Sequence, residues 1–335
     1  MKTQIAWLAA VVWLAVLTLA ACGGNQPAAQ PEDLAGDVEQ NGGASEAVTV
    51  QPEGQSSSAQ PAVPFTEEVG GLSAARQPVQ IQTTDGRTLE GYHYPSRFAN
   101  VPAVVLMHWA PGSMADWDHI AVWLQNRAGE LEAPPQSEGA IHDMGWFPAM
   151  PAEVSFSVLV FNFGRYGASQ YGGSRESMVL DAQAALEHAA ALPGVDPHQI
   201  TAIGASIGAD GAVDACYLLN DAGEKGTCVG AFSLSPGNYL TQEFSFQQAA
   251  QMVNMSQFPV WCLAAENDGR SPDLCSSIAD PLNRVFIYPG SYHGMELVDP
   301  EQLPSDPAVG LNALQLVQEF LERAYHIQLN NLNLP

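Results

Sequence analysis

The sequence predicts an α/β fold: a mostly parallel, doubly wound, eight-stranded sheet with helices on both faces, opened by an antiparallel hairpin. Three observations carry this. Short, continuous apolar runs recur from Ala103 onward, as in strands buried on both faces. Amphipathic segments alternate with those runs, and such alternation implies parallel strands joined by helical crossovers. Ahead of them, two strand-like segments flank Asp85-Gly86, a turn pair suited to a hairpin.

In chain order, the hairpin spans Val79–Thr84 and Leu89–Tyr94. The apolar strands are Ala103–His108, Ser157–Phe163, Ile200–Gly204, Val229–Leu234, Val260–Ala265 and Arg284–Tyr288. The helical patterns are Asp116–Arg127, Ser177–Leu192, Ile207–Asn220, Phe246–Val253 and Pro307–Tyr325. Gly129–Glu153 is too long for an ordinary connection. It carries Trp146, Phe147 and several prolines, and reads as a cap over a pocket or as a self-packed surface loop.

Composition narrows the function. The 335 residues carry 11 Lys and Arg against 36 Asp and Glu, a formal net charge of -25, and the only lysines are Lys2 and Lys225. Nucleic-acid binding needs clustered cations, so nucleic acid is excluded as a partner. Docking on anionic lipid by charge is excluded for the same reason. The eight histidines form no HxH or HExxH cluster and no zinc-ligand spacing occurs, so no metal site and no cofactor are expected.

The N-terminus reads as an address. Lys2 precedes an uncharged apolar run from Ile5 to Ala21. Leu19-Ala20-Ala21-Cys22, followed by Gly23, resembles the lipobox of bacterial lipoproteins. The resemblance implies cleavage before Cys22 and lipid attachment to it; an uncleaved membrane anchor is the alternative. Both put the rest of the chain outside the cytoplasm, tethered to a cell membrane or outer membrane. Residues 22–76 are rich in Gly, Pro, Gln, Ser and Glu and read as a disordered tether with a span of about 40 Å. The folded domain is then 77–335, with the possible lid at 129–153. Beyond Cys22 remain Cys216, Cys228, Cys262 and Cys275. An even number in an exported protein suggests disulfides with three possible pairings, the local one closing two short loops. Four buried free thiols are the alternative.

Gly204-Ala205-Ser206-Ile207-Gly208 reads G-x-S-x-G between a strand and a helix. That setting suits a nucleophile elbow, where a sharp turn exposes the serine and its neighbours must be small. Serine needs a base oriented by a carboxylate. Glu266-Asn267-Asp268-Gly269 and Ser291-Tyr292-His293-Gly294 each follow a strand, where parallel sheets gather ligands. Asp268 is the preferred acid; the other reading has it capping a helix near Pro272, with Glu266 as the acid. His108 reads as structural, and Asp210 and Asp214 as partners of the helix dipole and solvent.

Taken together, the elbow, the acid and histidine turns and the order Ser206, Asp268, His293 resemble the α/β-hydrolase superfamily over about residues 79–325. The resemblance implies a Ser206–His293–Asp268 triad acting on a small-molecule acyl substrate, in the manner of carboxylesterases and dienelactone hydrolases. His108-Trp109-Ala110-Pro111-Gly112 resembles the oxyanion loop, which implies Ala110 and Ile207 as donors, although Trp109 stands where the family usually has Gly. Asn162-Phe163-Gly164-Arg165-Tyr166-Gly167-Ala168-Ser169 resembles the family's D-x-R-G-x-G-x-S loop, with Arg and Gly exchanged. Trp109 and Trp146 are expected to line the substrate pocket, and Trp117 to line it or pack. A serine peptidase or acyltransferase of the same fold, and a non-catalytic binding lipoprotein, are the alternative functions.

Overall fold

The computed structural model describes residues 65, 71–132, 147–241, 243–299, 305 and 310–329. Cys22 and its preceding apolar run, and Trp146, lie outside the described residues. One sheet holds eight strands in the order β1-β2-β4-β3-β5-β6-β7-β8. They are β1 Gln77–Gln82, β2 Thr88–Tyr94, β3 Val101–Met107, β4 Ser157–Phe161, β5 Val195–Ala205, β6 Cys228–Leu234, β7 Val260–Ala265 and β8 Arg284–Tyr288. β1 and β2 form the antiparallel hairpin, β2 runs antiparallel to β4, and every later pairing is parallel.

Strand alternation sorts two cores. Ala103, Val105 and Met107 of β3 face one way, with Leu159, Phe161, Cys262 and Ala264. On that face lie α2 Ser177–Ala190, α3 Ile207–Ala222, α4 Phe246–Met255 and α5 Ser271–Ser277. Val104 and Leu106 face the other way, with Val158, Val160, Trp261 and Leu263. That face is covered by α1 Asp118–Gln125 and α6 Ala313–Tyr325. Phe320 of α6 packs its ring 5.6 Å from Phe232 and 5.7 Å from Trp261. Trp117 is fully buried in this core and lines no cleft.

Some boundaries differ from the sequence reading. β5 begins five residues earlier than the apolar run, because Val195 pairs with Val101 and the Pro197 carbonyl accepts the Thr227 N–H at 2.8 Å, which holds a polar stretch as strand. α6 begins at Ala313 rather than near Pro307, since the Asn312 side chain accepts the Gln315 N–H at 3.0 Å and caps the helix there. The predicted Asp116–Arg127 helix splits into a 3-10 turn, Met114–Trp117, and α1, which ends at Asn126 in a left-handed conformation. The packed chain begins ahead of Gln77. Arg76 pairs with the fully buried Asp118, and the Ala74 and Leu72 carbonyls accept from Gln125 and Arg127. The described end of the long connection packs on the α1–α6 face: the Trp123 indole donates to the Pro148 carbonyl, and Gln318 to that of Ala149.

Two disulfides take the local pairing. Cys216 of α3 joins Cys228 of β6, and Cys262 of β7 joins Cys275 of α5. All four residues are buried in the α2–α5 core. Each closes a short loop, of sequence separation 12 and 13, and restricts the unfolded chain by about 3 kcal/mol in the loop-entropy account. Replacing both cysteines of either bridge by Ser is expected to lower the urea midpoint measured by circular dichroism. An unchanged midpoint would contradict a stabilising role.

Candidate active site

The sheet order changes direction at β3, which lies between β4 and β5. Crevices in such sheets open at the carboxyl ends of strands beside that reversal. Ser206 stands there, between β5 and α3, with φ 54° and ψ -114°. A serine in that region is strained, and the surroundings must enforce it. Two glycines allow the close approach. A β-carbon on Gly204 would overlap the Gly208 carbonyl, and one on Gly208 would overlap the Met107 carbonyl at the end of β3. The Ser206 N–H donates to the Leu234 carbonyl at 2.8 Å, tying the turn to β6.

His293 Nε2 lies 2.9 Å from Ser206 Oγ, and His293 Nδ1 lies 2.8 Å from Asp268 Oδ1. The chain thus brings Ser206, His293 and Asp268 into one hydrogen-bonded relay. The acid and histidine turns are stitched to each other: the N–H and the side-chain amide of Asn267 both donate to the Gly290 carbonyl, at 2.9 and 3.0 Å. Glu266 points instead toward the Gly290 N–H, and the hydrogen bonds of the imidazole go to Asp268 and Ser206. The His293 N–H is held by Glu296 at 2.9 Å, and the Gly294 N–H by the Ser235 hydroxyl at 2.9 Å.

The electrostatics follow from the relay. The hydrogen bond to Asp268 outweighs burial and raises the His293 pKa above its ordinary 6.5. Burial pushes the Asp268 carboxyl up, but the His293 hydrogen bond and the Ser235 hydroxyl outweigh it and hold it below the usual range. The pair therefore stabilises an imidazolium, the species formed when a base accepts the proton of Ser206.

The loop after β3 is braced from beneath. His108 Nδ1 donates to the Trp109 carbonyl at 2.7 Å, and Nε2 accepts the Phe163 N–H at 3.1 Å. Burial lowers its pKa to about 4, so the ring is neutral and structural. A trans peptide sets the Ala110 N–H opposite the Trp109 carbonyl, away from His108. Likewise, the Ser206 carbonyl accepts the Ala209 N–H inside α3, which turns the Ile207 N–H outward. Among the described residues, no backbone carbonyl accepts from the N–H of Ala110 or Ile207. Asn162 accepts the Met114 N–H at 2.9 Å and steadies the far end of the loop. The indole of Trp109 donates to Asp116 at 2.7 Å. A β-carbon on Gly294 would meet that ring at 3.2 Å and the Ser206 β-carbon at 3.6 Å, so the half-buried Trp109 lies beside the serine. Arg165 is exposed, with its guanidinium 6.0 Å from the Tyr171 ring centre, apart from the relay.

Two acids on α3 differ from the sequence reading. Asp210 and Asp214 are each 2% exposed, and neither meets solvent. Asp210 accepts the N–H of Gly237 at 3.0 Å and that of Tyr239. Burial raises its pKa to about 6 against those bonds. Burial and the nearby Asp210 raise the Asp214 carboxyl well above the usual carboxylate range. Helix periodicity alone could not show this, because the α4 side of α3 is closed by the loop after β6. Tyr239 on that loop belongs to no motif in the sequence. Its ring stands edge-on to His293, centroids 6.5 Å apart. Among the described residues, no group of three or more His, Cys, Asp or Glu side chains is arranged to hold a metal ion.

A group protonated more readily in the fold loses stability as pH rises past its unfolded pKa. For Asp214 that loss begins near pH 4 and continues upward. Asp214→Asn should therefore gain in melting temperature relative to wild type between pH 5 and pH 8. A difference that is constant with pH would contradict the buried-acid assignment.

Comparison with known proteins completes the picture. No protein-family model matches the sequence, and no curated protein matches it. Solved structures do. The esterase Pf2001 of Pyrococcus furiosus is 15% identical, covers 78% of this chain and 97% of its own, and superposes with a TM-score of 0.51. The α/β hydrolase GrgF of Penicillium sp. sh18 is 14% identical, with coverage of 76% and 100% and a TM-score of 0.52. An esterase of Pyrobaculum calidifontis is 16% identical, with coverage of 76% and 87% and a TM-score of 0.50. The likeness, together with the eight-stranded sheet and its opening hairpin, identifies the architecture: this chain has the α/β-hydrolase fold.

Proposed function

We propose that this chain is a serine hydrolase that cleaves carboxylic esters through an acyl-enzyme. The Ser206–His293–Asp268 relay on a strained elbow carries the reading. Ser206 Oγ attacks the acyl carbon while His293 Nε2 takes its proton. Asp268 holds the ring in the required tautomer and favours its cationic form. The N–H groups of Ala110 and Ile207 receive the oxyanion, an effect usually worth more than any other single one. His293 then protonates the leaving group, and water releases the acyl group by the same steps. Trp109 forms one wall of the acyl site. The esterase neighbours support this chemistry over the peptidase and acyltransferase alternatives.

The reading extends to location. The folded domain, which begins ahead of Gln77, is exported, carried by a tether that follows Cys22, and anchored through lipid on Cys22 after removal of residues 1–21. The two disulfides support an oxidising compartment, since cytosolic thiols are kept reduced. Several acyl chains would hold the protein to the extracytoplasmic face of a membrane.

Purified domain is expected to hydrolyse short-chain p-nitrophenyl esters, with Ser206→Ala reducing kcat by roughly 10⁴- to 10⁶-fold. Retained turnover in that variant would exclude the reading. The base works only when neutral, and Asp268 raises its pKa. So kcat/KM should climb with pH along a limb above pH 6.5. In Asp268→Asn that limb should move to lower pH as the rate drops. A limb that stays in place would separate Asp268 from His293.

A further inference from the structure

The α3 acids and the loop after β6 form a built unit that the relay does not use. Asp210 is buried in the first turn of α3, one turn from Ser206. Its carboxylate gathers the backbone N–H groups of Gly237 and Tyr239 and faces that of Asn238. The loop is fixed at its other end by the Asn238 side chain, which accepts the Phe246 N–H at 2.6 Å. Ser235 and Asn238 both have positive φ, 61° and 55°, so the backbone is bent sharply at two points. The outcome is one placement. The half-buried Tyr239 ring stands edge-on to His293, and its hydroxyl faces the side chains of Ser206 and Ser271 and the Asp268 carboxylate.

Topology decides what that hydroxyl meets. In the sheet order, β3 lies on one side of β5, and β6, β7 and β8 lie on the other. The Ala110 loop follows β3, whereas Tyr239, Asp268 and His293 follow β6, β7 and β8. The Ala110 donor and Tyr239 therefore approach Ser206 from opposite sides. The leaving group is protonated by His293 and must occupy the His293 side.

Resting on the serine-hydrolase reading, we propose that Tyr239 is a further catalytic residue, whose phenol O–H donates a hydrogen bond to the leaving-group oxygen, and that Asp210 is its positioning residue. As the tetrahedral adduct collapses, the acyl carbon–oxygen bond breaks and its electron pair passes to the leaving oxygen. The proton comes from His293 Nε2, and Tyr239 keeps its own. Negative charge builds most on an alkoxide-like leaving group, so the donor favours esters of aliphatic alcohols. A nitrophenolate delocalises its charge and needs little help. Dissociation of the phenol is opposed by burial and by the neighbouring carboxylates of Asp210 and Asp268, which keeps the donor proton in place at working pH.

The test compares two esters with one acyl group, an ethyl ester and a p-nitrophenyl ester, on wild type, Tyr239→Phe and Asp210→Asn. Tyr239→Phe should lower kcat/KM for the ethyl ester by roughly tenfold to thirtyfold and change the p-nitrophenyl ester less than about twofold. Asp210→Asn should give the same selective loss in weaker form, which a general loosening of the fold would not do. Fluorophosphonate labelling of Tyr239→Phe at the wild-type rate shows that the fold and nucleophile are intact. Equal losses on both esters, or no loss on either, would overturn the role of Tyr239. A wild type that takes no label and turns over neither ester would overturn the serine-hydrolase reading itself, and this proposal with it.

Discussion

The structure depends on one close approach, that of the β5–α3 turn against the end of β3. Gly208 lies so near the Met107 carbonyl that no side chain fits between them, and Gly204 lies as near to Gly208. That contact tightens the turn enough to leave Ser206 at φ 54°. It also sets the start of α3 directly beside the loop that leaves β3. A serine lifted out of the sheet, a helix N-terminus behind it and a free N–H from the next loop then come together without further design. Relaxing the turn would scatter all three.

The remainder of the molecule holds that turn in place from several sides. Disulfides clamp α3 to β6 and α5 to β7, the elements around the serine and the acid. Hydrogen bonds from Asn267 join the acid turn to the histidine turn. Charge is handled by the same economy. In a chain so poor in cations, buried carboxylates find varied partners. Asp181 pairs with Arg87 at 2.5 Å and accepts the Gly164 N–H, Asp118 takes Arg76 and the Tyr94 hydroxyl, and Asp210 is satisfied by backbone amides. Burying an acid is costly unless it is paired or hydrogen-bonded. Each of these acids spends its negative charge on fixing a loop: Asp181 the segment at Gly164, Asp118 the entry to β1, and Asp210 the approach of Tyr239.

Much of this was legible beforehand because the signals are local. Apolar runs such as VVLM and VLVF, short and set between turn signals, read as strands buried on both faces, and G-x-S-x-G demands small neighbours for a steric reason. The relay was legible because parallel sheets deliver loops to one edge, so Ser206, Asp268 and His293 could be matched by their positions after strands. What was missed rests on tertiary contact. Tyr239 sits in a loop with no motif, and its importance comes from the carboxylate of Asp210 holding its amide. Asp210 and Asp214 looked solvated because helix periodicity says nothing of a loop that folds over the helix. The early start of β5 has the same origin, since Asp196 and His198 carry no apolar signal, and the stretch is held by the Thr227 N–H on the Pro197 carbonyl and by the His198 ring on the Thr227 hydroxyl.

The central claim is that the relay makes Ser206 nucleophilic. The direct measurement is intact-mass and peptide analysis of the purified domain after brief exposure to a fluorophosphonate. The account predicts one equivalent of adduct, located on Ser206 and absent in His293→Ala, whose serine lacks its base. A well-folded protein that remains unmodified, or one modified at another residue, would contradict it.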